Sequence, residues 1–275
     1  NDGFLRIWDT DGQVLVDFSD ITDTVRSVDW SPDGSKIVSG GNDGLVNIWD
    51  ANTGELSATL RGHDDVIQSV DWSDDGAKIA STSFNDLENL RIWNAENYDL
   101  SASLGAGMLF DASWSPDSTQ LAIAQENGYA VVLDDKLIQI FSFLPIETGI
   151  VDVIWTPKSD YIIGGDANGQ MHVWDTKTQL KTTTFKAHEG VVTAINLDPG
   201  GNRLVSVGQG DGKLKIWNIE TFNIIETFSI EKEITLFSID WSPDGTQLAY
   251  GGVSGELHVL DKMSSDTCEL TDNAG

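Results

Sequence analysis

Alternating apolar and polar positions, interrupted by short turn sequences, run along nearly the whole chain. Residues 28–50 show the unit: an apolar run, a Ser-Pro-Asp-Gly turn, a second run, an Asn-Asp-Gly turn and a third run that ends in Ile-Trp-Asp. Period-two alternation between such turns predicts successive antiparallel hairpins. No 3.6-residue periodicity extends far enough to predict a helix. The pattern therefore predicts an all-β chain.

The unit recurs, and its clearest marker is the end of the third strand. Steps between the central residues of this marker are 41, 44, 40, 41, 43 and 43 residues. The seven copies are Ile7-Trp8-Asp9, Ile48-Trp49-Asp50, Ile92-Trp93-Asn94, Val132-Leu133-Asp134, Val173-Trp174-Asp175, Ile216-Trp217-Asn218 and Val259-Leu260-Asp261. A period of this length is typical of proteins built from structural repeats.

Two further markers complete the repeat. The first strand ends in Trp or Leu before a turn that holds five of the six prolines, since Pro lacks an N–H and suits the corner between strands. A fourth strand is marked by an apolar residue ten or eleven positions after the Trp or Leu that ends the third strand. Each repeat thus predicts four strands, a, b, c and d in chain order, with c strands that end near 8, 49, 93, 133, 174, 217 and 260.

The Trp-Asp endings and the period resemble the WD40 repeat family, and the resemblance covers residues 2–262. Departures are Leu at 133 and 260, Asn at 94 and 218, and only two Gly/Ala-His pairs, at 62–63 and 187–188. The resemblance implies a β-propeller of seven four-stranded antiparallel blades, the first incomplete. We assign residues 1–262 to the propeller and 263–275 to a C-terminal segment that supplies strand d of the last blade.

The predicted strands do not make up seven complete blades, because there are seven c and seven d strands but six a and six b strands. Asn1-Asp2-Gly3 falls in a b–c turn. We therefore expect the chain to be a segment of a longer polypeptide that holds the missing inner strands. The alternative is a six-bladed ring, in which residues 13–18 close the last blade and 4–8 are displaced.

Charge narrows the classes of partner. The formal net charge is −28 and the pI is about 4.1, which argues against nucleic acid and anionic membranes because phosphate binding needs clustered Lys and Arg. Crowded acidic turns indicate solubility or a face for a basic partner. Cys268 is the single cysteine, so no intrachain disulfide can form, and no Asn-x-Ser/Thr sequence occurs. The compartment stays open, with the cytoplasm favoured.

Two sets of residues look like a nucleophilic triad. One is His63, Ser81 or Ser83, Asp86 and Trp93, and the other is His188, Ser206, Asp211 and Trp217. In the family that the chain resembles, these residue types form a structural hydrogen-bond network, and two copies favour architecture over a single catalytic site. We expect no metal site: residues 9–12 are a turn and not a calcium loop, and His172 and His258 are partly exposed strand-c residues.

A candidate binding surface follows from the start of strand a. In the resembled family, residues there lie on the narrower face where partners dock, and a ring with Phe and Arg suits an interface. The equivalent positions are Arg26, Gln68, Phe110, Val151, Thr193 and Phe237. They could instead plug the channel entrance. The longer b–c turn at 84–89 is a second candidate, although extra loop residues are often tolerated without benefit.

The sequence therefore predicts a non-catalytic platform that binds a protein or peptide partner on its loop faces, and no cofactor. The alternative is a propeller enzyme or small-ligand binder that uses the central channel, since one fold hosts many functions. The side chains that line the channel discriminate the two. Convergent His, Asp or Glu would favour catalysis, and a hydrophobic rim would favour docking.

Overall fold

The computed structural model describes residues 5–9, 13–18, 21, 23–84, 86–230, 235–252, 257–261 and 270–271. Over these ranges the regular elements are 26 β-strands, as the alternation predicts. No helix that the structure describes is long and apolar enough to cross a membrane.

Two strands precede six complete sheets. The half-blade consists of β1 (Leu5–Trp8) and β2 (Val14–Phe18). Blade 1 consists of β3 (Val25–Trp30), β4 (Lys36–Gly41), β5 (Val46–Asp50) and β6 (Leu56–Leu60). Blade 2 consists of β7 (Ile67–Trp72), β8 (Lys78–Ser83), β9 (Leu90–Asn94) and β10 (Leu100–Leu104). Blade 3 consists of β11 (Leu109–Trp114), β12 (Gln120–Gln125), β13 (Ala130–Asp134) and β14 (Gln139–Ser142).

The remaining three blades have the same construction. Blade 4 consists of β15 (Ile150–Trp155), β16 (Tyr161–Asp166), β17 (Gln170–Asp175) and β18 (Leu180–Lys186). Blade 5 consists of β19 (Val192–Leu197), β20 (Arg203–Gly208), β21 (Lys213–Asn218) and β22 (Ile224–Ser229). Blade 6 consists of β23 (Leu236–Trp241), β24 (Gln247–Gly252), β25 (Leu257–Asp261) and β26 (Leu270–Thr271).

Each sheet is an antiparallel meander in which the strands pair in chain order. The prediction of a propeller with four-stranded antiparallel blades is confirmed. The count is six complete blades plus a two-stranded sheet, so seven blades are not confirmed and six agrees with the alternative. One detail of that alternative is wrong, because β2 pairs with β1 instead of closing the last blade.

The core lies in the seams between blades. At the seam of blades 1 and 2, Val70 and Trp72 of strand a pack against Val38 and Ile48 of the preceding blade. Similar buried clusters join blades 2 and 3, 3 and 4, 4 and 5, and 5 and 6. Trp fills these seams because a large ring buries much apolar area. A blade is therefore stabilised by its neighbours more than by itself.

Candidate functional site

The six predicted ring residues share a backbone irregularity. In blade 1, Val25 pairs with Gly41 and Ser27 with Gly40, so that Arg26 lies unpaired between them. The same register shift skips the second residue of strand a in every other complete blade. Such bulges re-aim a side chain and occur at rims and binding sites. The residues at these bulges are Arg26, Gln68, Phe110, Val151, Thr193 and Phe237.

The six residues differ in their contacts and exposure. Arg26 donates to Asn42 Oδ1 at 2.6 Å and to Gln68 Oε1 at 3.3 Å, forming a polar group over blades 1 and 2. Thr193 is half-buried, and its hydroxyl donates to the Leu236 carbonyl at 2.7 Å. Val151 is half-buried as well. Phe237 is 54% exposed. Arg26 and Gln68 thus form one hydrogen-bonded pair among the six residues.

Phe110 is one of several apolar residues in strand a and the loops at the same end of the sheets. Its ring lies 6.1 Å from that of Phe84, at the start of the long b–c turn of blade 2. In the neighbouring loops Leu87 is 92% exposed and Leu144 is 85% exposed, and Tyr129 is exposed too. We call these five residues the rim patch. The repeat pattern marks the long turn but does not mark Leu87 and Leu144, whose signal in the sequence is an apolar residue among turn formers.

Acidic side chains surround the rim patch. Glu88, Glu126 and Glu147 are exposed in the same loops, and Asp64 is exposed in the loop that precedes blade 2, beside Arg61. These carboxylates contribute to a negative electrostatic potential at this end of the molecule. Apolar area bordered by one sign of charge is the arrangement of an interaction surface.

The first predicted network forms at hydrogen-bond distances. His63 Nδ1 lies 3.0 Å from Asp86 Oδ2, and His63 Nε2 lies 2.7 Å from Ser81 Oγ. Trp93 Nε1 donates to the same Ser81 oxygen at 2.9 Å. The serine is therefore Ser81, while the Ser83 hydroxyl is buried and has no partner among the described residues.

The second network repeats the first in blade 5. His188 Nδ1 lies 3.0 Å from Asp211 Oδ2, His188 Nε2 lies 2.8 Å from Ser206 Oγ, and Trp217 Nε1 donates to Ser206 at 2.9 Å. The Asp211 carboxylate can only accept, so Nδ1 carries the proton that is donated to it, and the Ser206 hydroxyl, whose oxygen accepts from Trp217, donates to the unprotonated Nε2. The imidazole is then neutral, with its proton on Nδ1 directed at the carboxylate.

The pKa values fit neutral imidazoles. Burial, assisted by the nearby Arg91 charge, lowers the pKa of His63 to about 4. Burial also lowers the pKa of His188. Burial opposes the charged form of Asp86, but hydrogen bonds from the Glu88 N–H and from His63 hold its pKa below the usual value. Each serine hydroxyl donates a hydrogen bond to His Nε2, and its oxygen also accepts from a Trp N–H. The serine oxygens are therefore engaged in structural hydrogen bonds.

Blade 4 corrects one expectation from the sequence. His172 is buried, not partly exposed, and its Nε2 lies 3.0 Å from Asp166 Oδ2 while its Nδ1 lies 2.9 Å from Thr184 Oγ1. Asp166 at the end of strand b supplies a partner that the repeat pattern does not mark. The ring stacks on Trp174 at 5.6 Å. His258, the other member of the pair, is half-buried as expected.

The inner strands place carboxylates toward the central channel, which the sequence analysis missed. Each accepts a backbone N–H of the next blade: Asp29 from Trp72 at 2.6 Å, and Asp71 from Trp114 at 2.6 Å. Asp111 accepts from Val153 at 3.1 Å, and Asp152 accepts from Ile195 at 2.7 Å. The signal was present, since an Asp that precedes Trp in strand a must lie on the face opposite to that Trp.

Burial raises the pKa of three of these carboxyl groups. It raises the pKa of Asp29 to about 6, and the carboxylates of Asp240 and Asp74 add to the effect. It raises the pKa of Asp71 and of Asp152 well above the usual value, and the neighbouring Asp29 and Asp111 charges raise them further. Perturbed acids that converge are a signature of catalysis. Here four of the carboxylates also hold the next blade by a hydrogen bond, which gives them a structural role.

Among the described residues, no metal centre accompanies these acids. No group of three His, Cys, Asp or Glu residues that could hold a metal ion occurs in the part of the chain that the structure describes. A cavity of about 230 Å³ lies between blades 5 and 6, away from the channel, and is lined by Leu214, Thr227, Phe228, Ser229, Ile230, Tyr250 and Leu260. It is smaller than the roughly 300 Å³ at which ligand pockets begin.

Three expectations fall outside the described residues. The turn at 9–12 includes Thr10, Asp11 and Gly12, which the structure does not describe. Cys268 and the rest of 262–269 lie outside as well. Within the predicted C-terminal segment, Leu270–Thr271 pairs with β25.

Comparison with protein families gives two matches. The model "WD domain, G-beta repeat" matches residues 12–50 and 54–94. The model "Eukaryotic translation initiation factor eIF2A" matches residues 124–254. Neither description names an enzyme.

Relatives are distant. The chain is 27% identical over 112 residues to the pre-mRNA-splicing factor cwf17 of Schizosaccharomyces pombe, which covers 41% of this chain and 32% of that protein. It is 24% identical over 243 residues to eukaryotic translation initiation factor 3 subunit I of Culex quinquefasciatus, which covers 84% of this chain and 61% of that protein. The chain thus spans about a third and about three fifths of these relatives' lengths.

The fold has a solved counterpart. The β-propeller domain of Cps50 (Swd1) from Myceliophteria thermophila aligns with a TM-score of 0.80 and 18% identity, over 92% of this chain and 88% of that one. An identity this low supports the fold alone. The chain therefore contains WD40 repeats within residues 12–94 and folds as a β-propeller of four-stranded blades.

Proposed function

We propose that this propeller is a non-catalytic platform that binds a protein or peptide partner at the end of the sheets where the d–a loops and b–c turns lie. The observation that carries the proposal is the rim patch, an exposed apolar surface held on the rigid strands and turns of blades 2 and 3. Large exposed apolar residues rimmed by polar groups mark interaction sites on soluble proteins. Phe237 on blade 6 supplies a second contact point.

The chemistry of the partner follows from the charges around the patch. Exposed Glu88, Glu126 and Glu147 favour a segment with basic residues, and Phe110 with Leu87 favours apolar anchors between them. A preorganised surface loses little entropy on binding. The named relatives are a splicing factor and a translation-initiation subunit, and this kinship supports a place among factors that work in protein assemblies.

The enzyme alternative has less support. The channel carboxylates Asp29, Asp71, Asp111 and Asp152 are each occupied by a backbone N–H of the next blade. The two His networks are closed by a Trp donor, so that His63 and His188 have no free ring nitrogen among the described contacts. The same residue types therefore act in this proposal as structural links between loops, strands and blades.

Affinity capture with a double variant tests the proposal. We expect Phe110→Ser combined with Phe237→Ser to remove at least about nine tenths of captured partner, a tenfold loss of affinity, because the half-buried Phe110 ring and the exposed Phe237 ring both supply apolar contact area. The measurement is quantitative mass spectrometry of proteins retained from a lysate by the immobilised chain. Circular dichroism of the variant should match that of the unmodified chain.

A matched control uses exposed apolar residues away from the rim. Leu100→Ser combined with Leu180→Ser alters the outer strands β10 and β18, and should retain the partner. Retention that is equal for the rim variant and for the control would contradict the rim as the binding surface. Raising the ionic strength should weaken capture, because salt screens the attraction between the acidic loops and a basic partner.

A further inference from the structure

Two loops of unusual length meet at the seam of blades 2 and 3. The b–c turn of blade 2, residues 84–89, has six residues, whereas the b–c turns of the other complete blades have three or four. The d–a loop that leads to blade 3, residues 105–108, has four residues and is the shortest loop between two blades. The long turn lies over the short loop, because the Leu87 carbonyl packs against Gly105 and leaves no room for a side chain there.

Hydrogen bonds fix the long turn at both ends. The buried Asn89 side chain donates to and accepts from the backbone of residues 105–108. At the other end, Asp86 accepts from His63 at 3.0 Å, so the structural network of blade 2 extends into this turn. Between these two fixed points Leu87 is 92% exposed. A rigid support therefore holds an apolar side chain in solvent.

The row of loops continues over blade 3. The Glu126 N–H, in the b–c turn of blade 3, donates to the Met108 carbonyl of the short loop at 3.0 Å. In the same turn Gly128 packs against the Ile146 carbonyl, and the Ile146 N–H donates to the Gly128 carbonyl at 3.0 Å. Contacts between neighbours thus set the order of four segments along the rim. They are 86–89, 105–108, 125–129 and 144–148.

Three of the four segments combine an exposed apolar residue with an exposed glutamate. The pairs are Leu87 with Glu88, Tyr129 with Glu126, and Leu144 with Glu147. None of the four segments contains Lys or Arg. The Glu88 carboxylate lies 3.7 Å from the Arg91 guanidinium, and the Glu88 side chain is still 56% exposed. The row therefore alternates apolar contact area with negative charge.

We propose that these three pairs, which we call the rim track, bind a linear peptide segment in which apolar and basic residues alternate. Each apolar side chain of the peptide contacts one apolar residue of the track, and each Lys or Arg lies beside one Glu. This inference rests on the proposed function and adds the shape and composition of the partner. A second copy of this chain fits less well, because its formal net charge of −28 would be repelled by the track.

A designed peptide serves as the probe. It carries three Leu-Arg pairs separated by Gly-Ser and a fluorescein label, and fluorescence anisotropy measures its affinity for the 275-residue chain. We expect saturable binding. Replacing each Arg of the peptide by Glu, or each Leu by Ser, should weaken binding at least about tenfold. The peptide with Ser in place of Leu measures the general attraction of a basic peptide to an acidic protein.

Apolar variants of the protein locate the binding surface. Leu87→Ser and Leu144→Ser, at opposite ends of the track, should each weaken binding about fivefold, because each removes apolar area that the peptide covers. Leu180→Ser is the matched control, since Leu180 is 63% exposed on the outer strand β18. It should leave the affinity unchanged. Circular dichroism of each variant should match that of the unmodified chain.

Charge variants test the acidic half of the track. Glu126→Gln combined with Glu147→Gln should weaken binding and reduce its dependence on salt, because two of the three carboxylates are neutralised. Glu55→Gln combined with Glu220→Gln removes the same charge from exposed c–d turns at the opposite end of the sheets. This control pair should change the affinity little.

The outcomes separate this inference from the proposed function. Phe237→Ser should leave the peptide affinity unchanged, because Phe237 lies on blade 6 outside the track. If the peptide does not bind while the Phe110→Ser and Phe237→Ser variant still loses its captured partner, the track is overturned and the proposed function stands. Equal losses for Leu87→Ser and Leu180→Ser, or equal affinity of the peptide with Ser in place of Leu, would also overturn the track. So would self-association that depends on Leu87 in sedimentation velocity, because it would assign this surface to a second copy.

Discussion

Two seams of this propeller use the same repeat and bury it differently. Between blades 1 and 2, Val70 and Trp72 are covered by strands of the neighbour. On the opposite face of blade 1, Val28 and Trp30 hold the same positions and are about half exposed. The difference shows that the burial of strand-a side chains depends on contact between two adjacent blades, not on the sequence of one repeat alone. Stability should follow the same rule, as nearest-neighbour coupling does in repeat proteins.

The largest expected difference is between two tryptophan deletions. Trp72→Ala should lower the free energy of unfolding by about 3–5 kcal/mol, because it opens a cavity in a closed seam. Trp30→Ala should lower it by about 1 kcal/mol or less, since only part of that ring is buried. Urea denaturation monitored by circular dichroism measures both. Equal losses would show that the two seams are equivalent and would contradict the comparison.

A smaller effect is expected inside the networks of blades 2 and 5. Ser81→Ala removes the acceptor of Trp93 Nε1 and the partner of His63 Nε2, and should lower the free energy of unfolding by about 2 kcal/mol. Ser206→Ala should do the same in blade 5. The control is Ser101→Ala, on an exposed position of β10, which should change stability little. If Ser81→Ala lowered the free energy of unfolding no more than Ser101→Ala does, the network would not contribute to stability.

The smallest expected effect is a pH dependence at the seam of blades 1 and 2. The folded pKa of Asp29 is raised to about 6, so its burial destabilises the fold as pH rises from about 4 through 6. Asp29→Asn keeps an oxygen for the Trp72 N–H and removes the charge. Its stability relative to the unmodified chain should therefore rise by about 1 kcal/mol between pH 5 and pH 8.

An acidic turn residue supplies the control for that profile. Hydrogen bonds from Ser31 and Ser35 lower the folded pKa of Asp33 to about 2, so its contribution is lost only as pH falls below about 4 through 2. Asp33→Asn should show a constant difference from the unmodified chain between pH 5 and pH 8. A flat profile for Asp29→Asn as well would mean that the channel does not desolvate that carboxyl group.

The fold could be predicted from the sequence because its signals are local. Turn sequences and the Trp-Asp period mark each strand, and the spacing from His63 to Trp93 places both residues in one blade. The burial of a residue at a seam depends on residues of the adjacent blade, which are distant in sequence. Asp29 and Asp71 stood in the strand-a pattern, but their depth and raised pKa depend on the next blade. Likewise, the buried His172 has its hydrogen-bond partner, Asp166, in the adjacent strand.

The central claim, that neighbouring blades supply the burial of strand a, can be tested directly by hydroxyl-radical footprinting of the tryptophans, read by mass spectrometry. The account predicts that Trp30 is oxidised several-fold faster than Trp72, Trp114, Trp155 and Trp241. Oxidation of Trp30 at the same rate as the other four in the free chain would contradict it.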